Sequence, residues 1–227
     1  MKERPIIFSA PMVRAILDGT KTQTRRVVKP QPPEGQRIDT CHYNETGWAY
    51  WYLGSGLDSG SCRCNNVRGP YGHSGDRLWV KENHILSPAN FADRDLDLYN
   101  VTDPDGNGRI CQYTATSPDT STPVKDYGLK VRPSIHMPRW ASRILLEVTE
   151  VRVERVQDIS GEDAWWEGIG YQGGSGRCVA NYADGRVEID GPMCLSAFRD
   201  LWESINGPGS WDANPWVWVV SFKRIEP

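Results

Sequence analysis

Gly19-Thr20-Lys21-Thr22-Gln23-Thr24-Arg25-Arg26 joins a short amphipathic segment, Pro11 to Leu17, to a β-type run, Thr22 to Val28. Reading this stretch decides the fold, because here a helix must stop and a strand must begin. Gly19 can take positive φ where the helix ends. The stretch also gathers threonine hydroxyls and the cations Lys21, Arg25 and Arg26. Two readings fit that spacing: a helix cap leading into a solvated basic strand, or a working site. In a regular strand Thr22, Thr24 and Arg26 face one way and Lys21, Gln23 and Arg25 the other. Lys21 and Thr24 can therefore share a role only if Lys21 lies in the turn, before the alternation starts.

Working outward, Ile6 to Phe8 predicts a short strand, and Ser9-Ala10-Pro11 a helix start with Met12, Ala15 and Ile16 on one face. Arg77 to Glu82 alternates as a strand with Leu78 and Val80 together. Arg143 to Val156 is the longest β-like run, with Leu146, Val148 and Glu150 set against Glu147, Thr149 and Val151 and a bend near Arg152. Ser160-Gly161-Glu162-Asp163 predicts a capped helix carrying Trp165, Trp166 and Glu167, ended by Gly168 and Gly170. An inward Glu167 is costly unless paired. Met193 to Asn206 is an amphipathic helix with Leu195, Phe198, Leu201, Trp202 and Ile205 in its stripe. Trp216 to Phe222 is apolar on both faces, as a strand inside a sheet requires.

The 227 residues are 38% hydrophobic with 10 Trp, enough for one core, while 22 Gly, 16 Pro and a mean hydropathy of −0.56 imply long loops around it. One domain over 1–227 is expected, with insertions at about 31–74 and 87–138. In the first, Trp48 to Tyr52 suggests one arm of a hairpin. A net charge of −3 and a pI of about 5.8 argue against a binder of long duplex DNA and for a small ligand or short single-stranded RNA. No apolar run is long enough to span a membrane. Met1-Lys2-Glu3-Arg4-Pro5 does not resemble a secretory signal, so a cytoplasmic location is expected. Cys41, His42, Cys62 and Cys64 are the residues from which a Cys/His metal site could be built. They lack the paired hooks of structural zinc, and no metal or organic cofactor is expected.

Taken in order, four segments resemble the ASCH-domain family, whose fold is PUA-like. They are the entry strand and helix ending in Gly19-x-Lys21-x-x-Thr24-x-Arg26, the strand after Gly75-Asp76, Leu146-Glu147-Val148-Thr149 running on to the capped helix, and the closing helix and strand. The two insertions resemble those of longer members carried by phages and prophages. The resemblance implies a mixed α/β (α+β) fold, a small twisted β-barrel with two or three flanking helices. Within the family, bacterial N4-acetylcytidine amidohydrolases are the nearest functional model, and they imply Lys21, Thr24 and Glu167 as the catalytic set. Arg25, Arg26, Trp79 and Arg139 are then substrate-binding candidates, with Trp48, Trp165 and Trp166 as further rings for stacking a base.

Hydrolysis of an N-acyl amide on cytosine needs a nucleophile, a base and an oxyanion stabiliser. Lys21 can deprotonate Thr24 only if burial or the cations beside it lower its pKa, and a close Glu167 opposes that. Two alternatives remain. One is a non-catalytic reader of RNA or a modified base, with Arg25, Arg26, Lys29 and Arg139 on phosphates. The other is a metal-independent ribonuclease with His136 or Tyr71 as base.

Overall fold

A computed structural model describes residues 1–33, 36–39, 48–53, 65–88, 101–103, 109–116, 128–169, 179–181, 187–189 and 191–226. Cys41, His42, Cys62 and Cys64 lie outside them. In chain order the elements begin with β1 (Glu3–Ile7), α1 (Ala10–Leu17) and β2 (Gln23–Val27). The first insertion contributes β3 (Gln36–Asp39), β4 (Trp48–Leu53) and β5 (Asn65–Arg68), and β6 (Arg77–Lys81) follows. Next come β7 (His84–Pro88), β8 (Val101–Thr102), β9 (Arg109–Tyr113) and β10 (Val131–Arg132). The chain continues through β11 (Leu145–Arg155), α2 (Gly161–Trp166), β12 (Val179–Asn181), β13 (Val187–Ile189), α3 (Gly191–Asn206) and β14 (Trp216–Ile225).

The architecture is mixed α+β. Its frame is a five-stranded sheet in the order β1-β6-β11-β14-β2, with β1 parallel to β6 and the remaining neighbours antiparallel. β14 runs through its interior, which explains a strand apolar on both sides. Trp218, Val220 and Phe222 enter the main core with Leu78, Val80, Leu146 and Val148, beneath Met12, Val13 and Ile16 of α1. Val217 and Val219 enter a second core with Phe198 and Trp202 of α3 and Ala164 of α2.

Among the described residues this sheet does not close into a barrel. Its edges, β1 and β2, share no ladder, and β1 is a five-residue strand containing Pro5, a blunted edge. The sheet nevertheless curls until the edges approach. Arg26 Nη2 donates to the Ile7 carbonyl at 2.9 Å, and the guanidinium lies 5.3 Å from the Phe8 ring centroid.

Two local expectations need correction. The switch of face in β11 falls between Val148 and Glu150, not near Arg152, because the register slips there. The slip keeps Val151 in the core with Leu146 and Val148 and turns Arg152 and Glu154 to the other side, where they meet Arg25 and Asp163. In α3 the buried stripe runs through Cys194, Phe198 and Trp202, while Ile205 in the last turn is 57% exposed.

Both insertions form sheets of their own, β3-β4-β5 and β10-β7-β9-β8. The second carries a buried polar cluster. Arg143 grips the Glu82 carboxylate at 2.9 and 3.0 Å and lies 4.0 Å from the Tyr113 ring centroid. His84, fully buried, contacts the Glu82 carbonyl through Nδ1 at 3.2 Å. No described helix is long and apolar enough to cross a membrane.

Burial lowers the His84 pKa, the Glu82 carbonyl opposes the shift, and Arg132, Lys81 and His136 reinforce it. An unfolded His84 then takes a proton before the folded one does, so stability falls as pH drops below 6.5 towards the folded-state value. Urea midpoints measured across that window should show this decline, and His84→Leu should flatten it relative to the parent.

Candidate functional site

The end of α1 positions Lys21. Asp18 caps the helix, Gly19 takes φ of 75°, and the backbone N–H groups of Thr20 and Lys21 both donate to the Ala15 carbonyl, at 2.9 and 3.0 Å. Lys21 thus lies in the turn, two residues before β2. Its backbone forms an isolated bridge with Glu167, and Thr22 N donates to the Trp166 carbonyl at 3.0 Å. On the other side Ser160 caps α2 by accepting from Asp163 N, and Glu167 is the C-cap residue. Gly168, at φ of 85°, then turns the chain so close to α1 that a Cβ there would lie 3.1 Å from Ala15 Cβ and 3.2 Å from Lys21 Cβ.

The Lys21 ammonium is 2% exposed as a residue and has three acceptors: the Gln23 carbonyl at 2.7 Å, the Glu167 carbonyl at 2.8 Å and Glu167 Oε2 at 2.8 Å. Glu167, 5% exposed, also accepts from Arg25 Nη1 at 3.2 Å through Oε1. Burial lowers the Lys21 pKa; Glu167 pulls it up, and Arg26 and Arg25 push it down again. Burial wins that contest.

Arg25 belongs to a charge network rather than to an open binding surface. Its Nε and Nη2 reach Glu154 Oε1, Nη1 reaches Gln23 Oε1 and Glu167 Oε1, and Nη2 also reaches Asp163 Oδ2. Those five contacts use all five guanidinium hydrogens, so no donor is left for a substrate. That corrects its expected role. Arg152 joins the same network through Glu154 and Asp163. Three cations (Lys21, Arg25, Arg152) face three carboxylates (Glu154, Asp163, Glu167), which is how so much charge is tolerated beside the second core.

Thr24 faces the opposite way. It pairs with Val220, a main-core residue, and is 0% exposed with Oγ1 buried and without a hydrogen-bond partner. No hydrogen bond therefore joins Thr24 to Lys21. The lysine lies between the faces, with Nζ 5.7 Å from the Phe8 ring centroid. Arg26 and half-buried Tyr71 lie on the Phe8 side. Burial raises the Tyr71 pKa, while the Arg26 charge and its hydrogen bond lower it.

The remaining candidates are elsewhere. Trp79 sits on β6, paired with Pro5 and Leu145 under the Lys81 ammonium. Arg139 is exposed and ion-paired with Glu3 at 2.8 Å. Neither has a contact with Lys21, Thr24 or Glu167 in the structure's hydrogen bonds or ion pairs. His136 and Lys29 are exposed. The sequence reading missed Gln23, Arg152, Glu154 and Asp163 as network members and Phe8 as the ring between Lys21 and Arg26. The alternation of charges along β11 was the available signal, hidden by the register slip. Among the described residues no cluster of His, Cys, Asp and Glu is arranged to hold a metal ion.

Comparison of the chain with protein-family models, with curated proteins and with solved structures finds no match.

Glu167 holds two buried cations, so its removal should be severe. Glu167→Leu should cost about 3–5 kcal/mol of unfolding free energy by leaving Lys21 and Arg25 short of an acceptor. Adding Lys21→Met to that variant should recover part of the loss, a coupling that a double-mutant cycle in urea measures directly.

Proposed function

We propose that this chain is an amidohydrolase that removes the acyl group from an N4-acylated cytidine or a related modified pyrimidine, with Lys21, Thr24 and Glu167 as its catalytic residues. One observation carries the reading: a desolvated lysine of lowered pKa stands three positions from a buried hydroxyl that no other group uses. The likeness of Gly19-x-Lys21-x-x-Thr24-x-Arg26 to the ASCH motif supports it, as does a curled sheet whose edges meet at Arg26 and Ile7 in the manner of an open PUA-like barrel.

The chemistry closes on these groups. Glu167 accepts a proton from the Lys21 ammonium, and the neutral amine takes the Thr24 hydroxyl proton as Thr24 Oγ1 adds to the acyl carbonyl carbon. The tetrahedral intermediate expels the cytosine N4 amine, which takes its proton from Lys21. Water then hydrolyses the threonyl ester, releasing the carboxylic acid and restoring the hydroxyl. Lys21 must leave the Gln23 carbonyl to reach Thr24, and the buried set must open at the Phe8–Arg26 corner to admit the base. Arg26 retains donors for the pyrimidine carbonyl or ribose.

A non-catalytic reader of RNA or a modified base is the second reading. It is favoured by one specific observation: the ammonium already has three acceptors, so the Lys21–Glu167 pair is complete without a guest.

Incubation with N4-acetylcytidine, followed by chromatography of cytidine, separates the two. The hydrolase reading expects turnover, and Thr24→Val should lower it by about 1,000-fold or more. The same substitution removes an unpartnered buried hydroxyl, so stability should be unchanged or rise by about 1 kcal/mol. A fully active Thr24→Val enzyme would exclude Thr24 as nucleophile. Absence of turnover with retained binding of the nucleoside would leave the reader.

A further inference from the structure

We infer that the surface formed by Ile7 of β1, Lys81 of β6 and the turn from Arg132 to His136 docks an acidic peptide segment carrying aliphatic side chains. The inference goes beyond the hydrolase reading and does not rest on it. From Gly128 to Leu146 the chain holds Lys130, Arg132, His136, Arg139 and Arg143, with neither Asp nor Glu. Ile7 pairs in register with Lys81, and both point away from the main core that takes Ile6, Phe8 and Val80. The Lys81 ammonium donates to the Ile135 carbonyl, which ties the strand to the turn. Arg132, Lys81 and His136 all act on the charge of buried His84, so the three lie close together.

The carboxylates beside this surface are engaged elsewhere. Glu3, on the same face of β1 as Ile7, accepts from Arg139 Nε at 2.8 Å. Glu82 is 2% exposed and gripped by Arg143 at 2.9 and 3.0 Å. Among the described residues, neither Lys81 nor exposed Arg132 has a carboxylate partner. Lys81 keeps two of its three ammonium hydrogens after the bond to Ile135.

The apolar half is independent of the charges. Ile7 and Ile135 are 44% and 59% exposed. The turn that presents Ile135 is fixed by two bonds: Ser134 N donates to Asn83 Oδ1 at 2.9 Å, and the Ile135 carbonyl accepts from Lys81. A β-branched side chain on a fixed turn has little freedom left to lose when a partner covers it. Val131 is also exposed, but it pairs with Ile85 and points to the other face. Aliphatic anchors favour a peptide over a nucleic-acid strand, which needs rings on which bases stack. None of the exposed large apolar side chains among the described residues is aromatic. Trp79, half-buried, already carries the Lys81 ammonium 5.4 Å from its ring centroid. A segment in which leucine or isoleucine alternates with carboxylates meets both halves of the surface.

The test titrates the whole chain into a fluorescent peptide of alternating aspartate and leucine and follows anisotropy at low salt. A peptide with serine in place of leucine and a short oligocytidylate serve as comparisons. The leucine peptide should bind saturably and about tenfold more tightly than the serine peptide. Ile135→Ser should remove most of that difference, and Arg132→Glu should weaken the leucine peptide by about tenfold. Both positions are exposed, so urea midpoints should match the parent; if Ile135→Ser disturbs its turn, Ile7→Ser carries the same expectation. Equal binding of the leucine and serine peptides would reduce the surface to general attraction of charge and overturn the inference. So would tighter binding of the oligocytidylate that Arg132→Glu abolishes, which would identify a nucleic-acid surface. No saturable binding of the leucine peptide, or full affinity in the Ile135→Ser, Ile7→Ser and Arg132→Glu variants, overturns it as well.

Discussion

A carboxylate taken almost wholly out of water at Glu167 is the constraint on which the rest of this site depends. It is tolerated because two cations meet it from one β-strand and its preceding turn, Lys21 at 2.8 Å and Arg25 at 3.2 Å. The three side chains join parts of the chain 142 to 146 positions apart. Removing one member exposes the others to the full cost of an unpaired buried charge. The pair therefore fixes how α2 docks on the beginning of β2. It also sets where the strand alternation starts, and so where Thr24 and Arg26 must point.

That alternation divides the sheet by chemistry. On one face Thr24 and Arg26 join Trp218, Val220 and Val151 over the main core. On the other, Gln23 and Arg25 meet Ser221, Arg152 and Glu154, and Asp163 reaches them from α2. Adjacent arginines consequently have opposite fates. Arg25 is saturated by acids and lies 5.9 Å from the Phe198 ring centroid, where it bridges the charge network to the second core. Arg26 spans the gap between sheet edges with donors to spare.

Much of this frame was legible in the residues, and the reasons are local. Gly19 stops α1 because the turn needs positive φ, Ser160 caps α2 through its side chain, and β14 is apolar on both faces because strands flank it. The requirement that an inward Glu167 be paired follows from desolvation alone. What escaped depends on long-range register. One extra residue near Thr149 moves Arg152 and Glu154 to the face of Arg25, and no periodicity within β11 announces it. The saturation of Arg25 is likewise invisible, since it takes acceptors from β11 and α2 at once. Trp79 and Arg139 carry suitable chemistry for a nucleobase site, but Trp79 lies on β6, separated from β2 by β11 and β14 in the sheet order, and Arg139 is ion-paired with Glu3 on β1.

A structural role for the Lys21–Glu167 pair and the chemical role proposed for it do not compete. Burial is what makes the pair necessary for folding, and the same burial is the largest cause of the lowered Lys21 pKa. An ammonium held only by attraction to Glu167 would have its pKa raised and would make a poor base. Desolvation reverses that sign, so Lys21 holds its proton less tightly than a lysine in water. Thr24 faces the apolar side with an unpartnered hydroxyl, which the proposed chemistry would use as its nucleophile. For the proposed chemistry the lysine would have to leave the Gln23 carbonyl for the Thr24 face, on the side where the Phe8 ring centroid lies 5.7 Å from Nζ.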